Sequence, residues 1–146
     1  MQIKRIVPGD SLDDAFKVRN IVFVEEQGFA AEIEVDNKDP VAHHIVVYDR
    51  DGSPIATARA FPEEPGSDSY VIGRVAVLRE LRGTGLGLLV MSEIEKLATM
   101  LGARFVKLGA QIQALDFYKK CGYSELGERY FEEHCEHAHM IKNLHS

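Results

Sequence analysis

Residues 70–102 read YVIGRVAVLRELRGTGLGLLVMSEIEKLATMLG, and a change of period inside that stretch decides the fold. Tyr70 to Leu78 is rich in β-branched and apolar residues and reads as a strand. From Leu86 the apolar positions switch to three-and-four spacing: Leu86, Leu89, Val90, Ile94, Leu97, Ala98 and Leu101 make one buried helical face. Gly102 supplies the left-handed residue that closes such a helix. Phe105 to Gly109 follows as a short apolar strand. A strand, helix, strand succession with this crossover places its two strands parallel.

Upstream, Gln2 to Val7 is an opening strand stopped by Pro8-Gly9-Asp10. A helix follows, capped by Ser11 or Asp10, with Leu12, Phe16, Arg19, Val22 and Phe23 turned inward as far as about Val24. Phe29 to Pro40 has poor periodicity and reads as a loop or short irregular helix. His44 to Tyr48 and Ile55 to Phe61 flank Asp49-Arg50-Asp51-Gly52, a hairpin turn, and Tyr70 to Leu78 continues the same antiparallel meander. Downstream, Ala114 to Lys120 is a short helix ended at Cys121-Gly122, and Tyr123 and His137 to Ile141 belong to the last strands. No linker, repeat or low-complexity segment interrupts residues 1–146, so one mixed α/β (α+β) domain is expected: a mostly antiparallel sheet flanked by helices, with a single central parallel crossover.

Composition narrows the function. The chain is 146 residues long, 45% apolar, with a formal charge of −6. That length buries a core without disulfides, and the two cysteines, Cys121 and Cys135, have neither zinc nor Cys-x-x-Cys spacing. No run of about 18 apolar residues offers a membrane span, and the amino terminus lacks a secretory pattern. A cytoplasmic protein is expected. A net acidic surface opposes nucleic-acid binding, which needs cations for the phosphates. The charges are also segregated. Glu25, Glu26, Glu32, Glu34, Asp36 and Asp39 are joined only by Lys38 between Glu25 and Pro40, whereas Arg74, Arg79 and Arg82 cluster around Glu80. One region invites cations and the other anions, unless both are solvated surface.

Between the third meander strand and the long helix lies Arg82-Gly83-Thr84-Gly85-Leu86-Gly87. The first turn of a helix leaves about four N–H groups without internal partners, and its dipole favours negative charge. Glycines let a phosphate reach those donors, and Arg82 adds a guanidinium suited to bidentate contact. Alone, such a segment is also consistent with a tight turn. A P-loop is excluded by the lack of a Gly-Lys-Ser/Thr ending, and a Rossmann unit by the antiparallel meander that precedes it.

Arg82-x-x-Gly85-x-Gly87 before a long amphipathic helix resembles the acetyl-CoA signature of the GNAT N-acetyltransferase superfamily. The order of elements agrees over nearly the whole chain, and Phe117-Tyr118-Lys119-Lys120-Cys121-Gly122-Tyr123 is similar to that family's Phe-Tyr, then Gly-Phe/Tyr, ending. Arg19 to Gln27, with Glu34, Asp36 and His44, resembles the ElaA-like and YjcF-like branch more narrowly, and also acyl-homoserine-lactone synthases.

The resemblance implies the GNAT acyl-CoA N-acyltransferase fold and transfer of acetyl from acetyl-CoA to a primary amine, either a small cationic molecule or a peptide or protein amine. Attack on the thioester would be direct. It implies that Val75, Ala76 and Val77 pair with the pantetheine arm through their backbone, and that Arg82, Gly83, Thr84, Gly85, Leu86 and Gly87 hold the pyrophosphate. Tyr118 would contact CoA and protonate the departing thiolate; a packing tyrosine is the plain alternative. For the base that receives the amine proton, Glu26, Glu34, His43 and His44 are candidates, with Glu26 favoured by its place after the first helix. His43 and His44 point to opposite sides of a strand, so at most one faces a cleft. Cys121 reads as a small buried residue. Cys135, His137 and His139 share a strand face near His134 and have the types of metal ligands, but the family chemistry needs no metal and none is expected. A homodimer is compatible with the resemblance. Two rival readings are a non-catalytic acyl-CoA-binding regulator and a lactone synthase using S-adenosylmethionine.

Overall fold

The structure, a computed structural model, describes residues 1–145; Ser146, the last residue of the expected domain, lies outside the described residues. Strand β1 is Gln2–Ile6, and helix α1 is Asp13–Arg19, continued by a π-helical segment, Asn20–Glu26. A single turn, α2 (Ala31–Glu34), follows. Strands β2 (His43–Tyr48), β3 (Pro54–Pro62) and β4 (Ser69–Val77) form the expected meander. Helix α3 is Leu86–Met100, β5 is Phe105–Gln111 and α4 is Leu115–Lys120. The short strands β6 (Ser124–Glu125) and β7 (Tyr130–Glu132) precede the long β8 (Cys135–Asn143).

The eight strands of the described residues form one sheet in the order β1-β2-β3-β4-β5-β8-β6, with β7 also on β8. Every pairing among them is antiparallel except β4 with β5. The crossover through α3 therefore produces the parallel pair that the change of period implies. Leu86, Val90, Met91, Ile94, Leu97 and Ala98 of α3 are buried against one sheet face, each large aliphatic contributing roughly 1.5–3 kcal/mol. Helix α1 covers the other face: Ala15 packs on Ile6 and Val46, and Val18 and Val22 pack on Ala76.

Two local expectations need correction. The inward face of α1 and its continuation is Ala15, Val18, Arg19 and Val22, whereas Leu12 and Phe16 are only half-buried. Phe16 instead lies along the Arg19 guanidinium, 5.0 Å from ring centroid to Cζ. The cap differs too. Leu12 occupies the N-cap position, and Ser11 Oγ accepts a weak bond from Asp13 N at 3.3 Å.

What positions the cleft is a split between β4 and β5. Their ladder is short, pairing Ser69 with Phe105, Tyr70 with Val106 and Val71 with Lys107. Beyond Val71, β4 keeps a partner on its β3 side alone. The Tyr70 hydroxyl fixes the closed end of the split by donating to the Leu101 carbonyl at 3.3 Å. A bulge accompanies the opening: Gly73 to Ala76 of β4 lies opposite Arg59 to Thr57 of β3, one residue more on the β4 side, with Arg74 at φ 51°. A bulge bends and twists its strand, and here it steers β4 away from β5.

Candidate active site

The split opens a cleft of about 900 Å³ that passes from the α3 side of the sheet to the α1 side. Val75, Ala76 and Val77 line one wall, and Leu108, Gly109 and Gln111 of β5 line the other. Along Gly73–Val77 the edge of β4 that faces the cleft has no strand partner among the described residues. Unpaired N–H and C=O groups on such an edge can take an extended ligand as an extra strand.

The same wall leads to the start of α3. Gly85 is the N-cap at φ 86°, no side chain caps the helix, and the Leu89 N–H bonds the Gly85 carbonyl at 3.1 Å. The preceding first-turn donors have no intrahelical acceptor, the arrangement that binds anions. Gly83, at φ 81°, and Gly85 need their glycines for conformation, and nothing lies within 4 Å of where a Cβ would stand on either. Gly87 has another reason: its Cβ would stand 3.1 Å from the Phe117 ring, so the bare backbone there admits α4 against α3. Thr84 donates its hydroxyl to the Leu81 carbonyl, and Leu86 belongs to the core.

Arg82 stands at this mouth with Nε donating to the Val77 carbonyl at 3.0 Å. Its two terminal nitrogens hold both oxygens of Glu26, at 2.6 and 2.8 Å, and Arg79 lies 3.6 Å from the same carboxylate. The hydrogen bond from Arg82 holds the Glu26 carboxyl below the usual range. A carboxylate so paired is a weak proton acceptor and a good tether for Arg82.

The other acids of the Glu25–Asp39 stretch that reach the cleft region are also occupied. Arg19, 1% exposed, donates to both oxygens of Glu34 at 2.6 and 3.0 Å and to both of Asp39 at 2.7 and 3.0 Å. Arg59 binds Asp36 and Asp39 at 2.6 and 2.8 Å, and Arg74 reaches the Glu34 carbonyl and Asp36. Burial raises the Asp36 carboxyl, but the bond and charge of Arg59 outweigh it and bring it down to about 2. The acidic and basic regions thus spend their charge on each other. His44 belongs to this network, with Nε2 3.2 Å from the Asp39 carbonyl and burial lowering its pKa. Neither His43 nor His44 lines the cleft.

Tyr118 lines the cleft from α4, buried in edge-on contact with Phe117 and Tyr123. Burial pushes its pKa upward, so the hydroxyl stays protonated at every working pH and remains a donor. Cys121 beside it is half-buried rather than buried.

The carboxy-terminal histidines take separate places. His134 Nε2 lies 2.8 Å from the Gln27 carbonyl and its ring meets Phe29, while Gln111 Nε2 donates to Gln27 Oε1 at 2.7 Å. These contacts tie the end of the α1 continuation to β5 and to the β7–β8 turn beside the cleft. Tyr130 stacks on both His137 and His139, with centroids 5.4 and 4.3 Å away. Its hydroxyl lies where a Cβ on residue 109 would stand, so Gly109 makes that seat. His137 is 5% exposed and lines the cleft. Sequence reasoning does not single it out as an acid–base residue, because the alternation Cys135, His137, His139 points first to metal ligation. That same alternation is the signal that places these side chains on one face of the strand.

A split sheet, an unpaired β4 edge and an uncapped helix start define an acyl-CoA-dependent acyltransferase. The chain matches the family described as an acetyltransferase (GNAT) domain over residues 13–144 and belongs to it. It is 40% identical over 136 residues to an uncharacterised N-acetyltransferase, YjcF, of Bacillus subtilis (strain 168), covering 92% of this chain and 94% of that one. Its structure is similar to Escherichia coli ElaA, with a TM-score of 0.86 and 28% identity over 97% of this chain and 99% of that one. An acyl-CoA N-acyltransferase from Pseudomonas aeruginosa superposes with a TM-score of 0.85 and 29% identity, covering 97% and 99%. The ElaA-like and YjcF-like branch is therefore the chain's place in the family.

Proposed function

We propose that the chain transfers an acetyl group from acetyl-CoA to a primary amine by direct attack on the thioester. The observation that carries this reading is the cleft edge of β4 along Gly73–Val77, which has no strand partner among the described residues, leading to the uncapped first turn of α3 after Gly85. The edge suits the amide-bearing pantetheine arm, and Gly83 to Gly87 with Arg82 suits the diphosphate. For that, Arg82 would exchange some of its contact with Glu26 for phosphate oxygen, two anions competing for one guanidinium.

A thioester is already activated, so the protein needs to align it, stabilise its oxyanion and manage protons. An N–H of Val75, Ala76 or Val77 on the open edge supplies an oxyanion donor, and Tyr118 a proton for the leaving sulfur. Acetyl rather than a longer acyl group is the expectation from the family likeness. The test is thiol release from acetyl-CoA with a panel of amines: spermidine, tyramine, glucosamine and a short peptide with a free amino terminus. Gly85→Val, which strains a left-handed residue and fills the anion's approach, is expected to lower CoA affinity at least about tenfold by calorimetry. Tight CoA binding by wild type with no turnover of any amine would favour a regulatory binding module; release with S-adenosylmethionine alone would favour lactone synthesis.

A further inference from the structure

Among the described residues three carboxylates line the cleft, Glu26, Glu34 and Glu132. Glu26 is held by Arg82, and Glu34 by Arg19. Glu132 has no lysine or arginine partner among the described residues; its polar neighbour is His137 Nε2, 3.8 Å from Oε2. His137 is the one imidazole among the described residues that lines the cleft. Its Nδ1 lies 3.0 Å from the Cys135 carbonyl. A carbonyl only accepts, so Nδ1 carries the hydrogen and Nε2 presents a lone pair. The ring is held by that bond and by its stack on Tyr130.

We infer that His137 Nε2 is the base that deprotonates the acceptor amine, and that Glu132 receives the incoming ammonium and then steadies the imidazolium. This rests on the amine-acetylation reading above. The ammonium gives one proton to Nε2, which returns it to solvent. The freed lone pair forms the C–N bond and the C–S bond breaks; the nitrogen's second proton leaves to water, and the CoA sulfur takes one from Tyr118, which regains it from solvent. The groups facing the ring are Glu132 and Tyr130 from β7, with His139 also stacked on Tyr130; of these only Glu132 carries a full negative charge near Nε2.

The experiment is the pH profile of kcat/KM with the best amine of the panel for wild type, His137→Ala, His137→Gln and Glu132→Gln. In wild type kcat/KM should rise with pH as the base sheds its proton. Both His137 variants should lose that rise and about 100-fold or more of the rate at pH 7, while CoA affinity stays within about twofold. Free imidazole should partly rescue His137→Ala. Glu132→Gln should raise KM for the amine, because the incoming ammonium loses its counter-charge. His137→Gln keeps a polar side chain of similar length and guards against a folding defect, which the melting temperature reports. An active wild type whose rise persists in both His137 variants overturns this assignment alone. A wild type that acetylates no amine overturns the reading beneath it as well.

Discussion

Arg19 carries more of the site's order than any residue with a chemical role. Its guanidinium satisfies two carboxylates at once, from Glu34 and Asp39, in a place that water does not reach. Removing one partner of such a pair leaves charge buried without compensation, which costs about 3–5 kcal/mol. Arg19→Met is therefore expected to lower unfolding free energy by that amount in urea titrations, with Glu34 left to Arg74 at 4.0 Å and Asp39 to Arg59 alone. Helical spacing does put Arg19 on the inward face. Its partners, 15 and 20 residues further on, are tertiary contacts that no local pattern encodes, and for that reason the acidic stretch reads as open to a cationic ligand.

Among the elements, α3 is legible in its glycine stop and its crossover and in most of its face, but Leu101, read as part of that face, lies past the last turn and is exposed, and Met91 is buried instead. Helix α4 is legible in extent, but not in its dependence on Gly87, whose missing side chain lets Phe117 sit against α3 and so sets where Tyr118 meets the cleft. Tyr118→Phe keeps the ring and its packing and removes only the hydroxyl. It is expected to reduce kcat at least about tenfold with CoA affinity unchanged, measured by thiol release and calorimetry. Because burial raises the Tyr118 pKa, wild type should show no loss of rate from its ionisation at moderately alkaline pH. The π-helical continuation of α1 is not legible: the bond from Gln27 N to Val22 O spans five residues, a choice made by packing rather than by sequence period.

For the whole molecule, the meander and the parallel pair follow from sequence spacing, whereas the split between β4 and β5 does not. An isolated glycine within a strand, Gly73, is its visible sign, but where a ladder ends depends on both strands. Acid stability should report the ionic network as a unit. Asp36 falls from 3.8 to about 2 in the folded state, and Asp39 is also lowered, burial opposing and the bonds and charges of Arg19 and Arg59 together prevailing. Their stabilisation is present above the unfolded value and disappears as pH drops through the folded one. The melting temperature is expected to hold near neutrality and fall between about pH 4 and 2, more shallowly in Asp36→Asn, as followed by circular dichroism.

The bridge that Gln27 makes to Gln111 and His134 turns an open notch into a passage with two doors. Under the acetylation proposed above, the thioester would enter from the side of α3 and its acceptor from the side of α1, so neither would have to vacate before the other arrives. Initial-rate plots against both substrates should then intersect, since both can be aboard when the acyl group changes hands.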